Sequence, residues 1–267
     1  MKSPLARALA ARIDGVAWLG MAGFMAWLPL AGDYWMYLNP KFKPVTLGAA
    51  LVLAVLAAYA LLRPVSRPSL GRGVAYALLA ACVALSQGGA QALSAAGDGD
   101  AFAVAPSLPA PPPPAPTPAR MTAQGKEYIP INAGELFDIA AKGPSPAWDK
   151  PYVMRGFARR DPALDASGEF VIFRLAIWCC FADSTAIGFK VKVPPGTALP
   201  ADKSWLVAYG RLTGMPQDQR GEYVLPGMAF SSVAPGALFA AEHIETAPVP
   251  PEQVYMYQWR SEEPYAY

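Results

Sequence analysis

Residues 169–193 read EFVIFRLAIWCCFADSTAIGFKVKV, two apolar runs joined by a short polar turn. Strand side chains alternate with a period of two. Val171, Phe173, Leu175, Ile177 and Cys179 would then share one face, with Phe170, Ile172, Arg174, Ala176, Trp178 and Cys180 on the other. Both faces are mostly apolar, as in a central, buried strand, and Arg174 is its one charge. Such a cation needs a partner, and Asp183 and Glu169 are the candidates. Cys179 and Cys180 fall at the strand end, with Asp183 and Ser184 close behind.

Outward from this hairpin the chain reads as β. Alternation places strands at 152–159, 187–193 and 205–213, with further strand material at 223–225, 228–232 and 239–244. Gly156 and Gly210 mark bends. Asn132 with Glu135 three residues on is a capping box for a short helix that ends by Gly143. Five or six strands with one small helix predict an OB-like Greek-key barrel over 121–267, with a β-sandwich as the other architecture that fits. The aromatic tail VYMYQWRSEEPYAY is expected to lie across the barrel or at a membrane interface.

The N-terminal third differs. Of the 267 residues 54% are hydrophobic and only 16% charged, which points to a membrane part. Three apolar runs, 15–32, 45–62 and 73–96, predict three transmembrane helices within 1–97. Lys2, Arg7, Arg12, Arg63, Arg67 and Arg72 then share one side, placing the N-terminus in the cytoplasm and residues 121–267 outside the inner membrane of a bacterium. Between them, 98–120 is a linker, with eight prolines in the thirteen positions 106–118. Such a run is a polyproline II spacer.

A net charge of +2 gives no reason to expect nucleic acid as a partner, and three cysteines with one histidine exclude a disulfide framework and paired zinc modules. No nucleophile–histidine motif or phosphate loop occurs, so no enzyme is expected. For the vicinal pair three accounts stand: packing residues, a soft-metal site with Asp183 as third ligand, or a redox pair. A strand-end bulge would be needed to turn both sulfurs one way.

The run Phe170–Gly188, with R-x-x-I-x-C-C-x-A-D followed by a glycine, resembles the signature of an uncharacterised bacterial family described as small subunits of two-component membrane permeases. Tyr37–Phe42, Tyr152–Phe157 and Trp205–Gly210 fit it as well. The resemblance implies a larger multi-span permease as partner and puts Arg174, Cys179, Cys180, Ala182, Asp183 and Gly188 at signature positions. The sequence therefore predicts a membrane-embedded accessory subunit whose exported barrel presents substrate, with zinc or copper as the candidate ion. A ligand-free structural or regulatory subunit and an exported thiol-redox protein are the alternatives.

Overall fold

The computed structural model describes residues 12–30, 34, 38–63, 71, 74–79, 81–82, 118–180, 183–228, 230–248 and 255–267. It divides into two compact units, Met1–Ala110 and Pro111–Tyr267.

In the first unit α1 (Ile13–Leu30) and α2 (Lys43–Leu62) are 18 and 20 residues long. Both are long and apolar enough to cross a membrane by length and composition. At about 1.5 Å per residue they extend roughly 27–30 Å, the thickness of a hydrocarbon core. The two helices pack closely: a Cβ at Gly15 would meet Leu61 Cγ at 2.6 Å. A 3-10 turn at Pro40–Phe42 leads into α2, with the Asn39 side chain accepting from Lys41 N. Most of the expected third span, 73–96, and the linker up to 117 lie outside the described residues.

Among its described residues, the second unit is built on eight strands and one nine-residue helix. A hairpin of β1 (Met121–Ala123) and β2 (Lys126–Pro130) comes first, followed by α3 (Ala133–Ala141). Five strands then form the barrel: β3 (Tyr152–Arg159), β4 (Glu169–Ala176), β5 (Thr185–Lys192), β6 (Trp205–Gly214) and β7 (Ser231–Thr246). A single turn, α4 (Pro162–Asp165), sits between β3 and β4, and a two-residue β8 (Tyr255–Met256) follows β7. The hydrogen-bonded order runs β3-β6-β7-β5-β4, and β4 pairs back onto β3, which closes the barrel. The β5–β7 contact is parallel and the other four are antiparallel. That is OB topology, and closure leaves none of the five with a free edge.

The expected strands at 152–159 and 205–213 and the capped helix appear where the alternation and the capping box place them. The Asn132 side chain accepts from Glu135 N, and the Glu135 carboxylate accepts from Asn132 N. Residues 223–225 are not a strand, because Leu225 N is held by Ser231 Oγ inside a loop and Tyr223 reaches Asp161. Of the segment expected at 228–232, Ser231 and Ser232 are strand; they and the segment expected at 239–244 belong to the one long β7, which carries a register shift opposite Tyr209/Gly210.

Every residue of β4 is buried, as a strand apolar on both faces must be. Phe170 and Ile172 point into the core with Met154, Phe189, Leu206 and Phe239, joined from outside the barrel by Leu136 and Tyr265. Each side chain of this size stabilises the fold by about 1.5–3 kcal/mol on burial. Phe173 faces outward in a row with Phe157 and Trp205.

Glu242 ties the β1–β2 hairpin to the barrel, accepting from Lys126 Nζ at 2.6 Å, Arg211 Nη2 at 2.7 Å and Tyr128 Oη at 2.8 Å. Burial works against its ionised form, but these three donors outweigh it and bring the carboxyl from 4.5 down to about 2. A depressed carboxyl stabilises the fold above its unfolded value and loses that contribution as pH falls through its folded one. Wild-type stability is therefore expected to drop by about 1 kcal/mol, after solvent screening, between pH 4.5 and 2. Glu242→Gln should lack this component in acid-titrated denaturant melts. An unchanged acid limb in the variant would disprove the assignment.

Candidate metal site at the cysteine turn

Strand β4 stops at Ala176, short of the cysteines, so the alternating faces drawn through Cys179 and Cys180 do not hold. Ile177 makes one more ladder-like bond, its N–H donating to Met256 O at 3.1 Å. Beyond it the backbone turns, and the cause is Asp183. Its Oδ1 accepts from Trp178 N at 3.0 Å, while Oδ2 accepts from Cys179 N at 2.7 Å and Cys180 N at 3.4 Å. Three successive N–H groups converging on one carboxylate force the chain to curl about it. No bulge in β4 is needed to bring the sulfurs together.

The result is a compact group of donors. The Cys179 and Cys180 sulfurs are 3.6 Å apart. One ligand atom from each of Cys179, Cys180 and Asp183 lies within 4.8 Å of the others. Cys179 is exposed and Cys180 half-buried, and both are free thiols. An ion about 2.3 Å from two sulfurs at a tetrahedral angle sets them about 3.8 Å apart. The observed separation therefore fits two legs of a tetrahedral set without movement of the turn.

Cys179 is electrostatically tied to its neighbours in the turn. A hydrogen bond to Asp183, then one to Cys180, with burial and the nearby carboxylate charge adding, pushes the Cys179 thiol up to about 11. Redox-active thiols are moved the other way. For Asp183, burial pulls the carboxyl upward, but the Cys179 thiol and the three backbone donors outweigh it and leave it below its ordinary range. A thiol raised by a neighbouring anion is what a cation reverses, since it stabilises thiolate and carboxylate together.

Among the described residues, the two carboxylates expected for Arg174 are engaged elsewhere. Glu169 bridges to Lys192 at 3.5 Å and Asp183 serves the turn. The Arg174 guanidinium instead donates to Tyr255 O at 3.5 Å and lies 5.9 Å from the Trp205 ring centre. Burial, then the positive charge of Arg155, lowers it to about 9, against the pull of Tyr267 and Glu135. Gly188 faces the β4 backbone: a Cβ there would collide with Ile172 O and come within 2.8 Å of Phe173 Cβ. Ala182 lies outside the described residues. The single histidine, His243, faces Gln124 through Nδ1 and Glu245 through Nε2, with the Tyr209 ring 5.7 Å away.

Two features are not visible in the sequence. Trp178 stacks on Trp259 with ring centres 5.1 Å apart. Glu135 carries more than its cap, because Oε1 also accepts from Arg260 N and Ala266 N. Burial holds its carboxyl above the ordinary range in spite of these donors. Only the aromatic content of the tail hinted at such contacts, since each partner lies more than eighty positions away in the chain.

Residues 140–233 match the family described as the DUF1980 C-terminal domain, and the matched stretch includes Arg174, the cysteine turn and Gly188. A domain of this description is consistent with an uncharacterised family. No curated protein matches the chain.

Proposed function

We propose that this chain is a membrane-tethered metal-handling subunit, whose barrel takes up a soft metal ion, zinc or copper, at Cys179 and Cys180 with Asp183 as third ligand. The observation that carries the reading is the convergence of those three donors within 4.8 Å on a turn fixed by backbone hydrogen bonds. Three protein donors leave a tetrahedral ion with an open position, which suits an ion that is passed on rather than kept. The receiver in this reading is a larger multi-span permease in the same bilayer, with α1 and α2 as the anchor and the barrel on the outer side. The bound ion supplies positive charge that stabilises the two thiolates; the turn supplies their spacing.

A packing role for the cysteines calls for buried sulfurs, whereas Cys179 is exposed. The raised Cys179 thiol is not itself the activated nucleophile that a thiol-redox reading calls for.

The test is metal stoichiometry of the reduced, metal-stripped full chain in detergent, offered Zn(II) or Cu(I). One ion per chain is expected, with none retained by the Cys179→Ser, Cys180→Ser double variant. Equal uptake by wild type and variant would end the proposal.

A further inference from the structure

The cysteine turn is braced by a segment from much later in the chain. Residues 255–267 run back along the barrel, starting as β8, which pairs in parallel with Leu175 and Ala176 at the end of β4. Met256 O then takes the Ile177 N–H, and the Trp259 indole lies against Trp178 at 5.1 Å and 32°. Trp259 is itself held on two sides. Its Nε1 donates to Asp138 Oδ2 at 2.6 Å, and its ring lies over Gly134, where a Cβ would fall inside the indole. Glu135 pins the segment further on, through Arg260 N at 2.7 Å and Ala266 N at 2.9 Å. Gly134, Glu135 and Asp138 all belong to α3.

Trp178 is also the residue whose N–H occupies Asp183 Oδ1. A continuous path of direct contacts thus leads from α3 through Trp259 and Trp178 to the carboxylate around which the sulfurs are arranged. With half its surface exposed, Trp178 depends on such contacts for its orientation, and the Trp259 ring gives it a fixed face to rest on.

We propose that Trp259 is a positioning residue for the metal site: by fixing Trp178 it fixes the turn, so the strap of residues 255–267 sets how tightly the Cys-Cys-Asp group holds its ion. The proposal rests on the metal-handling reading above. Mutating residues that orient ligands without touching the ion typically costs about 10–100-fold in affinity.

The experiment uses the reduced full chain in detergent with Cd(II) as the probe, followed by thiolate-to-cadmium absorption. In parallel, the alkylation rate of the peptide holding Cys179 and Cys180 is measured without metal, so that Cys82 does not contribute. Trp259→Ala is expected to weaken Cd(II) binding about tenfold and to speed alkylation about fivefold. Trp259→Phe keeps a ring on Trp178 and should return both to within about twofold of wild type. Were Trp259→Ala to unfold, as judged by far-ultraviolet circular dichroism, Asp138→Ala would loosen only the anchor and should shift both readouts the same way. Affinity and alkylation unchanged in the alanine variant would overturn the proposal. Failure of the wild type to take Cd(II) would instead overturn the metal reading, and the alkylation rates would still decide whether Trp259 braces the turn.

Discussion

Replacing Glu135 with alanine is expected to destabilise the barrel unit by about 3–5 kcal/mol, more than most single substitutions cost. The side chain is only 2% exposed and accepts from three backbone N–H groups, those of Asn132, Arg260 and Ala266. Alanine removes every acceptor at once and strands the donors in a space too enclosed for water to replace them freely, at about 1–3 kcal/mol each. The loss should be local first: amide exchange at Arg260 and Ala266 should accelerate before the barrel strands respond. Glu135→Gln keeps an acceptor oxygen and should cost far less. The pH dependence separates the two further. Burial raises the Glu135 carboxyl, so its contribution is fully present below the unfolded value of 4.5 and is lost as pH rises through the folded one. The glutamine variant should lack that slope. Unchanged protection at Arg260 and Ala266 in Glu135→Ala would show that the strap is held by something else.

Gly188→Ala is expected to cost about 2–4 kcal/mol, from one added methyl group. The new Cβ would meet Ile172 O and the Phe173 Cβ and Cα, atoms of the neighbouring strand that cannot swing aside as a side-chain end can. Relief would require β5 to part from β4 where Phe173 pairs with Gly188, close to the register shift between Gly188 and Lys190. Because both strands belong to a closed barrel, the displacement cannot be passed to a free edge. Gly221→Ala is the matched control, since nothing lies within 4 Å of a Cβ there. Denaturant midpoints of the two variants, measured on the full chain, should differ clearly; equal midpoints would refute the close-approach argument. The cysteine turn should suffer with the barrel, because β4 and β5 are its two posts.

The barrel could be foreseen because its signals are local. Alternation over 152–159 and 169–176, a capping box at Asn132 and glycines where strands bend each act within a few residues, and each leads to the element expected. The two apolar helices follow from length and composition alone. What stayed hidden depends on distance along the chain. Asp183 could be seen as turn chemistry, but not as the acceptor for three consecutive N–H groups, because residues 177–180 continue the apolar pattern of β4 and give no sign that the strand ends at Ala176. The pattern of two cannot distinguish a strand from an apolar turn. Arg174 was misassigned for a related reason. Its neighbours Trp205 and Tyr255 come from β6 and β8, and no spacing rule connects them to β4. Trp259 and the second duty of Glu135 belong to the same class.

The strap has a consequence in time. A ribosome adds about 5–20 residues each second, so the seventy-odd residues between the cysteine turn and the strap take roughly 4–15 s to make. Throughout that interval Trp178 lacks the ring that later supports it, and the two thiols exist without their brace. In the metal-handling reading proposed above, competence to hold an ion then arrives late in the life of each new chain, as a property of its final fold and not of the hairpin that carries the cysteines. In that reading the order in which the parts are made disfavours premature capture during synthesis.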